Sequence, residues 1–360
     1  MHHASLFTPV TLGSLTLPNR IIMAALTRCR ADADHVPTDI MAEYYAQRAS
    51  AGLIISEATM AIEGNSAFGG REPGIYSDAQ VSAWRKVTAA VHAQGGRIVL
   101  QIWHGGRACH SLLNHGAQPV APSALRITND ETHTPEGKKP YETPRALRDD
   151  ELPGIVAGFR RAAQNAQAAG FDGVEVHGAN GYLLDEFLRD GSNQRSGPYG
   201  GPLANRARLL LEVVDAAIGV WGAGRVGVRI SPLNSFNEMK DSDPVALTTH
   251  VATQLNQRGI AYLDLMRADF FGVQKGDVVT PARAAFKGAL VGNMGYTPAE
   301  AAEAVTAGTL AAVAFGHHYV SNPDLVARVR AGAALVEPDP ATFYSPGARG
   351  YVDYPMLPAA

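Results

Sequence analysis

Cysteine is nearly absent: Cys29 and Cys109 are the only two in 360 residues, and they form no CxxC pair. That excludes a disulfide framework and an iron–sulfur centre, and it favours a reducing, cytoplasmic setting. Long apolar runs are missing too, since no window nears the ~18 consecutive apolar residues of a membrane span. The opening MHHASLFTPV lacks the charged-then-apolar layout of a secretory signal. There is no cluster of five or more basic residues and the net charge is −3, which argues against a nucleic-acid or polybasic membrane surface. No GxGxxG follows the first strand-like run, which reads MAALTRCRAD, so a doubly wound dinucleotide fold is disfavoured. Nor does a low-complexity linker divide the chain, so residues 1–360 read as one domain, monomeric or homodimeric.

What the chain does contain is a recurring punctuation: a helical pattern, a glycine, then a short β-rich run. It appears in ASAG-LIISEA, HAQGG-RIVLQIW, AQAAG-FDGVEVHG, LNQRG-IAYLDLM and VTAG-TLAAVAFG. Glycine suits the left-handed residue that ends a helix, and β-branched residues favour the strand that follows. Helix starts are legible in TPAE, with Thr297 as cap, Pro298 first and Glu300 completing a capping box. NPDL offers Asn322 and Pro323 in the same first two roles. Eight strands are predicted, at about 20–26, 53–58, 97–103, 173–178, 225–231, 262–267, 288–293 and 310–316. Most are continuous apolar runs, as parallel strands buried on both faces require. Eight strand–helix units predict an α/β fold of the (β/α)8 TIM-barrel type. Residues 9–18 read as a β-hairpin plugging the barrel floor, and the polar, Pro-rich 105–148 as an excursion over its mouth.

In such barrels chemistry sits at the carboxyl ends of the strands. Collected there are Thr27, Gln101-Ile102-Trp103-His104, the group His177/Asn180/Tyr182, Arg229, GNMGYT and FGHHYVSNPDL. The strand ends offer no lysine for a Schiff base, no HxH and no carboxylate cluster for a two-metal hydrolase. Amide, hydroxyl, imidazole and guanidinium remain. Such groups hold a polar heteroaromatic ring and a carbonyl but do little chemistry alone, so they imply a cofactor.

The block VEVHGANGYLLDEFLRDGSNQRSGPYGGPLANRARLLLEVV resembles the signature of the Old Yellow Enzyme family, flavin-dependent ene-reductases. PNRIIMAALTRCRA, VLQIWHGGR, QPVAPSA, GVRISP and GYVDYP resemble it as well, in order from about residue 6 to 357. The resemblance implies noncovalent FMN and a ping-pong cycle, with NADPH or NADH as reductant and an activated alkene as oxidant. Enones, maleimides, nitroalkenes and nitrate esters are the substrate classes it implies. By the same resemblance, His177 and Asn180 hold the substrate oxygen, where charge builds in the transition state. Tyr182 then gives a proton to the α-carbon, its phenol staying protonated at neutral pH with an ordinary pKa of about 10. Ala25, Thr27, Gln101 and Arg229 fall at positions contacting the isoalloxazine, Arg229 near N1–C2=O. Gly292, Asn293, Gly295, Gly316 and His317 fall at the phosphate end, and Phe68, Trp103 and Tyr351 at the substrate pocket.

Three departures matter. Ala25 replaces the proline of the family's MAPLTR, His317 replaces the arginine of FGRPF, and Phe68 in NSAFGGREPG falls near where the family often has a tyrosine lining the pocket. A neutral imidazole lacks the guanidinium's fork and charge. FMN binding weaker than is usual for the family, and weaker at pH 8 than at pH 6, is the expectation. A flavin barrel without turnover, or a metal hydrolase using His104, His177 and His317, are the competing readings; Cys29 reads as a plain small side chain, His104, Asp185 and Glu186 as structural contacts, and no metal is expected.

Overall fold

Eight short apolar segments pair in parallel and close on themselves. The computed structural model describes residues 3–358, so residues 1–2 and 359–360 of the span read as one domain lie outside the described residues. The strands are β1 (Ile21–Met23), β2 (Leu53–Ile55), β3 (Ile98–Trp103), β4 (Val174–Gly178), β5 (Val226–Ile230), β6 (Tyr262–Met266), β7 (Ala289–Asn293) and β8 (Ala312–Phe315). Each pairs with its sequence neighbours, β8 pairs with β1, and no edge is left in the ring. Closure explains the composition of these runs: with helices outside and side chains filling the interior, both faces exclude water.

The lower interior is apolar. Ile22, Leu53, Ile55, Val99, Tyr262 and Val291 pack in one cluster with Leu12, Leu15 and Leu17. The last three belong to the antiparallel hairpin Val10–Leu12/Leu15–Leu17, which plugs the floor as predicted. Ser14 N–H donates to the Gly224 carbonyl at 2.8 Å and ties the hairpin there.

Around the barrel lie α1 (Asp39–Gln47), α2 (Asp78–Ala93), α3 (Leu152–Ala168), α4 (Arg208–Trp221), α5 (Pro244–Arg258), α6 (Val279–Ala285), α7 (Pro298–Thr306) and α8 (Leu325–Ala331). The Thr297/Glu300 capping box forms at the start of α7 as read from TPAE. NPDL behaves differently. Asn322 caps the end of the short helix His317–Ser321, its amide donating to the carbonyls of His318 and Val336, and Asp324 precedes α8 instead. Gly259 ends α5 at φ +63°, as its position predicts. Gly52 ends no helix; a Cβ there would lie 2.1 Å from the Asn19 carbonyl oxygen, so glycine is needed for close approach.

Residues 105–148 do form an excursion, with a hairpin Glu131–Thr134/Gly137–Pro140 and a parallel pair Val120–Ala121/Arg145–Ala146. It packs onto the mouth through Ala108, Ile127 and Tyr141 beside Trp103 and Tyr182.

Buried acids stand on this frame. Glu57 accepts from Arg28 N–H and the Tyr45 hydroxyl, yet burial pushes its pKa up to about 7. Glu186, bonded to Arg107 N–H, is pushed by burial up to about 8. A folded pKa above the ordinary 4.5 means stability that is full below about pH 4.5 and is lost as pH rises through 7 and 8. Each retained proton contributes up to ~1.4 kcal/mol per pH unit. The melting temperature should therefore fall by on the order of 5 °C from pH 6 to pH 8.5, and less in Glu186→Gln. A flat or rising profile in calorimetry would contradict this account.

Candidate active site

The upper ends of the strands surround a cavity of about 740 Å³. Ala25 and Thr27 reach it from the segment after β1, Phe68 from the segment after β2, and Gln101 from β3. His177 comes from β4, Asn180 and Tyr182 from the turn beyond, and Arg229 from β5. Asn293 and Gly295 follow from β7, Gly316 and His317 from the end of β8. All of these were singled out from sequence, and the fold brings them around one cavity.

The turn after β4 is fixed from several sides. Asn180 sits at φ +60°, a left-handed position that asparagine tolerates better than most residues. Its N–H donates to Ser231 Oγ at 2.8 Å, and its carbonyl accepts from Asn237 Nδ2 at 3.0 Å. Gly181 N–H donates to Asp185 Oδ2 at 2.9 Å, and Asp185 in turn faces Arg189. The amide of Asn180 is oriented by a relay. Phe270 N–H donates to Asn234 Oδ1 at 3.2 Å, which leaves Asn234 Nδ2 to donate to Asn180 Oδ1 at 2.8 Å. The Nδ2 of Asn180 is thereby left as a free donor. Nothing in the sequence marked Asn234 for this role.

His177 is neutral: burial, then the Arg229 guanidinium, hold its pKa well below the usual imidazole value. Tyr182 is a protonated phenol, since burial pushes its pKa well above 10. Its ring stands edge-on to Trp103 at 5.1 Å and 6.1 Å from Phe68.

Below them the cavity meets a polar layer. Gln101 Nε2 donates to Glu175 Oε1 at 2.7 Å. Arg229 Nη2 donates to Asn293 Oδ1 at 3.4 Å, and its Nε lies 3.8 Å from Asp264 Oδ2. Sequence reading found no carboxylate cluster, yet Glu175 and Asp264 meet here, because β4, β5 and β6 carry Glu175, Arg229 and Asp264 inward. His177 Nδ1, Arg229 Nε and Asn293 Nδ2 are buried without a hydrogen-bond partner.

At the other end, His317 is 60% exposed and its Nε2 lies 3.1 Å from Glu337 Oε2. Arg267 offers no replacement cation: it stacks on Tyr296 and donates to the Met294 and Gly295 carbonyls and to Glu300. Gly295, at φ +67°, has no atom within 4 Å of where a Cβ would stand.

Three expected wall residues lie elsewhere. Trp103 is fully buried behind Tyr182 and Phe68, a backing to the wall rather than its surface. Tyr351 is also fully buried, stacked 4.0 Å from Tyr44 with the Arg30 guanidinium 4.6 Å from its ring. Arg28 explains the displacement. It donates to the Phe343 and Gly350 carbonyls, which turns residues 343–350 so that Phe343 and Tyr344 meet the cavity. Gly292 faces Leu310 and Tyr296 instead of the cavity, and the wall begins one residue later. Phe236 and Phe270 complete an aromatic rim.

The bland assignments hold their places in the packing. His104 is buried, accepts from Gly106 N–H, and burial lowers its pKa to about 3. Cys29 is buried against the Phe68 carbonyl, and burial pushes its thiol up. No three His, Cys, Asp or Glu side chains among the described residues converge as metal ligands do, and no helix described is long and apolar enough to cross a membrane.

Comparison with known proteins supplies the context. The family model described as NADH:flavin oxidoreductase / NADH oxidase family matches residues 5–335. A probable flavin mononucleotide-dependent alkene reductase of Leishmania infantum is 51% identical over 97% of this chain and 96% of its own. The 12-oxophytodienoate reductase 1 of Oryza sativa subsp. japonica is 41% identical over 98% and 93%. Among solved structures, morphinone reductase superposes with a TM-score of 0.94 at 48% identity, covering 98% and 96%. The Old Yellow Enzyme homologue from Zymomonas mobilis gives 0.94 at 45%, covering 98% and 99%.

Proposed function

The chain belongs to the NADH:flavin oxidoreductase / NADH oxidase family, and from that premise we propose that it reduces the carbon–carbon double bond of small activated alkenes. It is an FMN-dependent oxidoreductase with NAD(P)H as reductant. The residues present suit the cofactor. A cavity of about 740 Å³ is lined by the guanidinium of Arg229 and the amides of Gln101 and Asn293, with an open backbone approach at Gly295. FMN held there would supply hydride transfer between the nicotinamide and the substrate.

The observation that carries the reading is that His177, Asn180 and Tyr182 line that cavity together, with the rings of His177 and Tyr182 5.5 Å apart. Neutral imidazole and the Asn180 Nδ2 donate toward the carbonyl or nitro oxygen of the substrate. Donors fixed in advance act most strongly where charge develops, on that oxygen as its β-carbon receives hydride. Tyr182 holds a proton for the α-carbon. Arg229 would offset negative charge on the reduced cofactor, while Gln101 and Thr27 would hold its polar groups. Trp103 and Phe68 keep the phenol in place and exclude water. Enones, maleimides and nitroalkenes present the required oxygen; nitrate esters are a further class to assay. One domain, as a monomer or a homodimer, carries all of this.

Purified protein tests the reading. A yellow preparation bleached by NADPH under nitrogen and recoloured by an enone is the expected result; yellow protein that no alkene reoxidises would overturn it.

At the phosphate end, Gly295, Gly316 and His317 are the residues we assign to the anion, with Glu337 opposing it. Fluorescence titration of apo-protein should show FMN binding about tenfold tighter in His317→Arg than in the parent, because a guanidinium offers an anion the fork and permanent charge that an imidazole lacks. Equal, tight binding by the two proteins would show the residue at 317 to be dispensable.

A further inference from the structure

Beneath the cavity, two acids share one cation. Glu175 and Asp264 are both fully buried, and they flank Arg229 on adjacent strands. The pair is sparsely satisfied: Glu175 Oε2 and both Asp264 oxygens lack a well-formed hydrogen bond, and the nearest donors are the Tyr262 phenol and the Asn293 amide. One guanidinium cannot fully neutralise two buried carboxylates, so the pair has room for one proton, which it sheds as pH rises while no negative charge stands on the cavity side of Arg229. Consistent with this, burial raises both acids, the charge of Asp264 raises Glu175 further, and Arg229 opposes both rises. The other groups facing them are Gln101, bonded to Glu175, the phenol of Tyr262 and the amide of Asn293. His177, the next ionisable group up β4, is neutral. The proposed mechanism uses neither acid.

Arg229 has a second face, on the cavity wall. Negative charge arriving there competes with the acids for the same guanidinium. We propose that Glu175 and Asp264 form a proton-holding pair that takes up a proton when the bound flavin is reduced and releases it on reoxidation. The inference rests on the reading that FMN lies over Arg229. The balance is explicit. NAD(P)H delivers a hydride, two electrons and one proton, to the ring; a carboxylate of the pair takes a further proton from solvent, forming an O–H bond. When the alkene accepts hydride, that O–H ionises and the proton returns to solvent. The pair acts through Arg229 on the flavin, so its members are positioning residues that tune the potential.

Potentiometry of the FMN-loaded protein from pH 6 to pH 9 tests this. One proton per two electrons gives about 30 mV per pH unit, a tenfold change in the reduction equilibrium. The unmodified protein should be steeper than that line over part of the range, by up to a further tenfold per unit. In Glu175→Gln, Asp264 has Arg229 to itself and stays ionised, so the plot should relax to the one-proton line and diverge from the parent as pH rises. Asp264→Asn should move the steep region toward acid pH. Unmodified protein on the one-proton line throughout, or a Glu175→Gln plot parallel to the parent, overturns the proposal. Protein that takes up no flavin would instead overturn the functional reading beneath it.

Discussion

Changing Tyr182 to phenylalanine should slow alkene-driven reoxidation of the reduced flavin by about 10²–10⁴-fold while leaving the NAD(P)H half-reaction within about twofold. The separation follows from what the phenol supplies. Hydride transfer from nicotinamide needs no acid, whereas completing the alkene needs a proton at the α-carbon. Tyr182 is suited to hold one, because burial keeps it protonated across the working range. Phenylalanine preserves the ring packed between Trp103 and Phe68, so the cavity keeps its shape. Stopped-flow measurement of each half-reaction separately is the check. A parallel fall in both would mean that Tyr182 shapes the site and donates nothing.

Removing the imidazole is expected to be nearly as costly. His177→Ala should lower the alkene half-reaction by about 10²–10³-fold, the loss typical of one donor aimed at a developing oxyanion. It should also weaken the binding of p-hydroxybenzaldehyde, whose phenolate mimics that oxygen. Asn180 cannot compensate, since its amide is fixed by the relay from Asn234 and reaches one point only. Combined with Asn180→Leu, the second change should cost less than it does alone, because two donors on one oxygen act as a unit. Unaltered binding of the aldehyde in His177→Ala would remove the clamp from the proposal.

The strands and the wall they carry were readable because period and punctuation coincide there. A parallel strand buried on both faces leaves a continuous apolar run, and a polar residue at its end can only face the mouth. That logic found Gln101, His177 and Arg229 without coordinates. It failed in loops, where no period exists. Tyr344 and Tyr351 lie in one irregular segment, and what sends the first to the cavity and the second against Tyr44 is a set of bonds to Arg28 and Arg30 more than 300 residues away. Asn234 was missed for the same reason, being placed by backbone contacts from β6's loop. Glu175 and Asp264 were overlooked differently: each sits singly in an apolar run, and only registering β4, β5 and β6 side by side puts them together.

The bonds from Arg28 to Phe343 and Gly350 carry a consequence for how the protein is made. During synthesis the floor hairpin and β1 emerge first, but the rim residue Tyr344 cannot dock until some 320 further residues have left the ribosome, the separation of Arg28 from Gly350 being 322. A nascent chain arrested after β8 would own a closed ring of strands and an unfinished entrance, exposing the aromatic faces that the last segment covers.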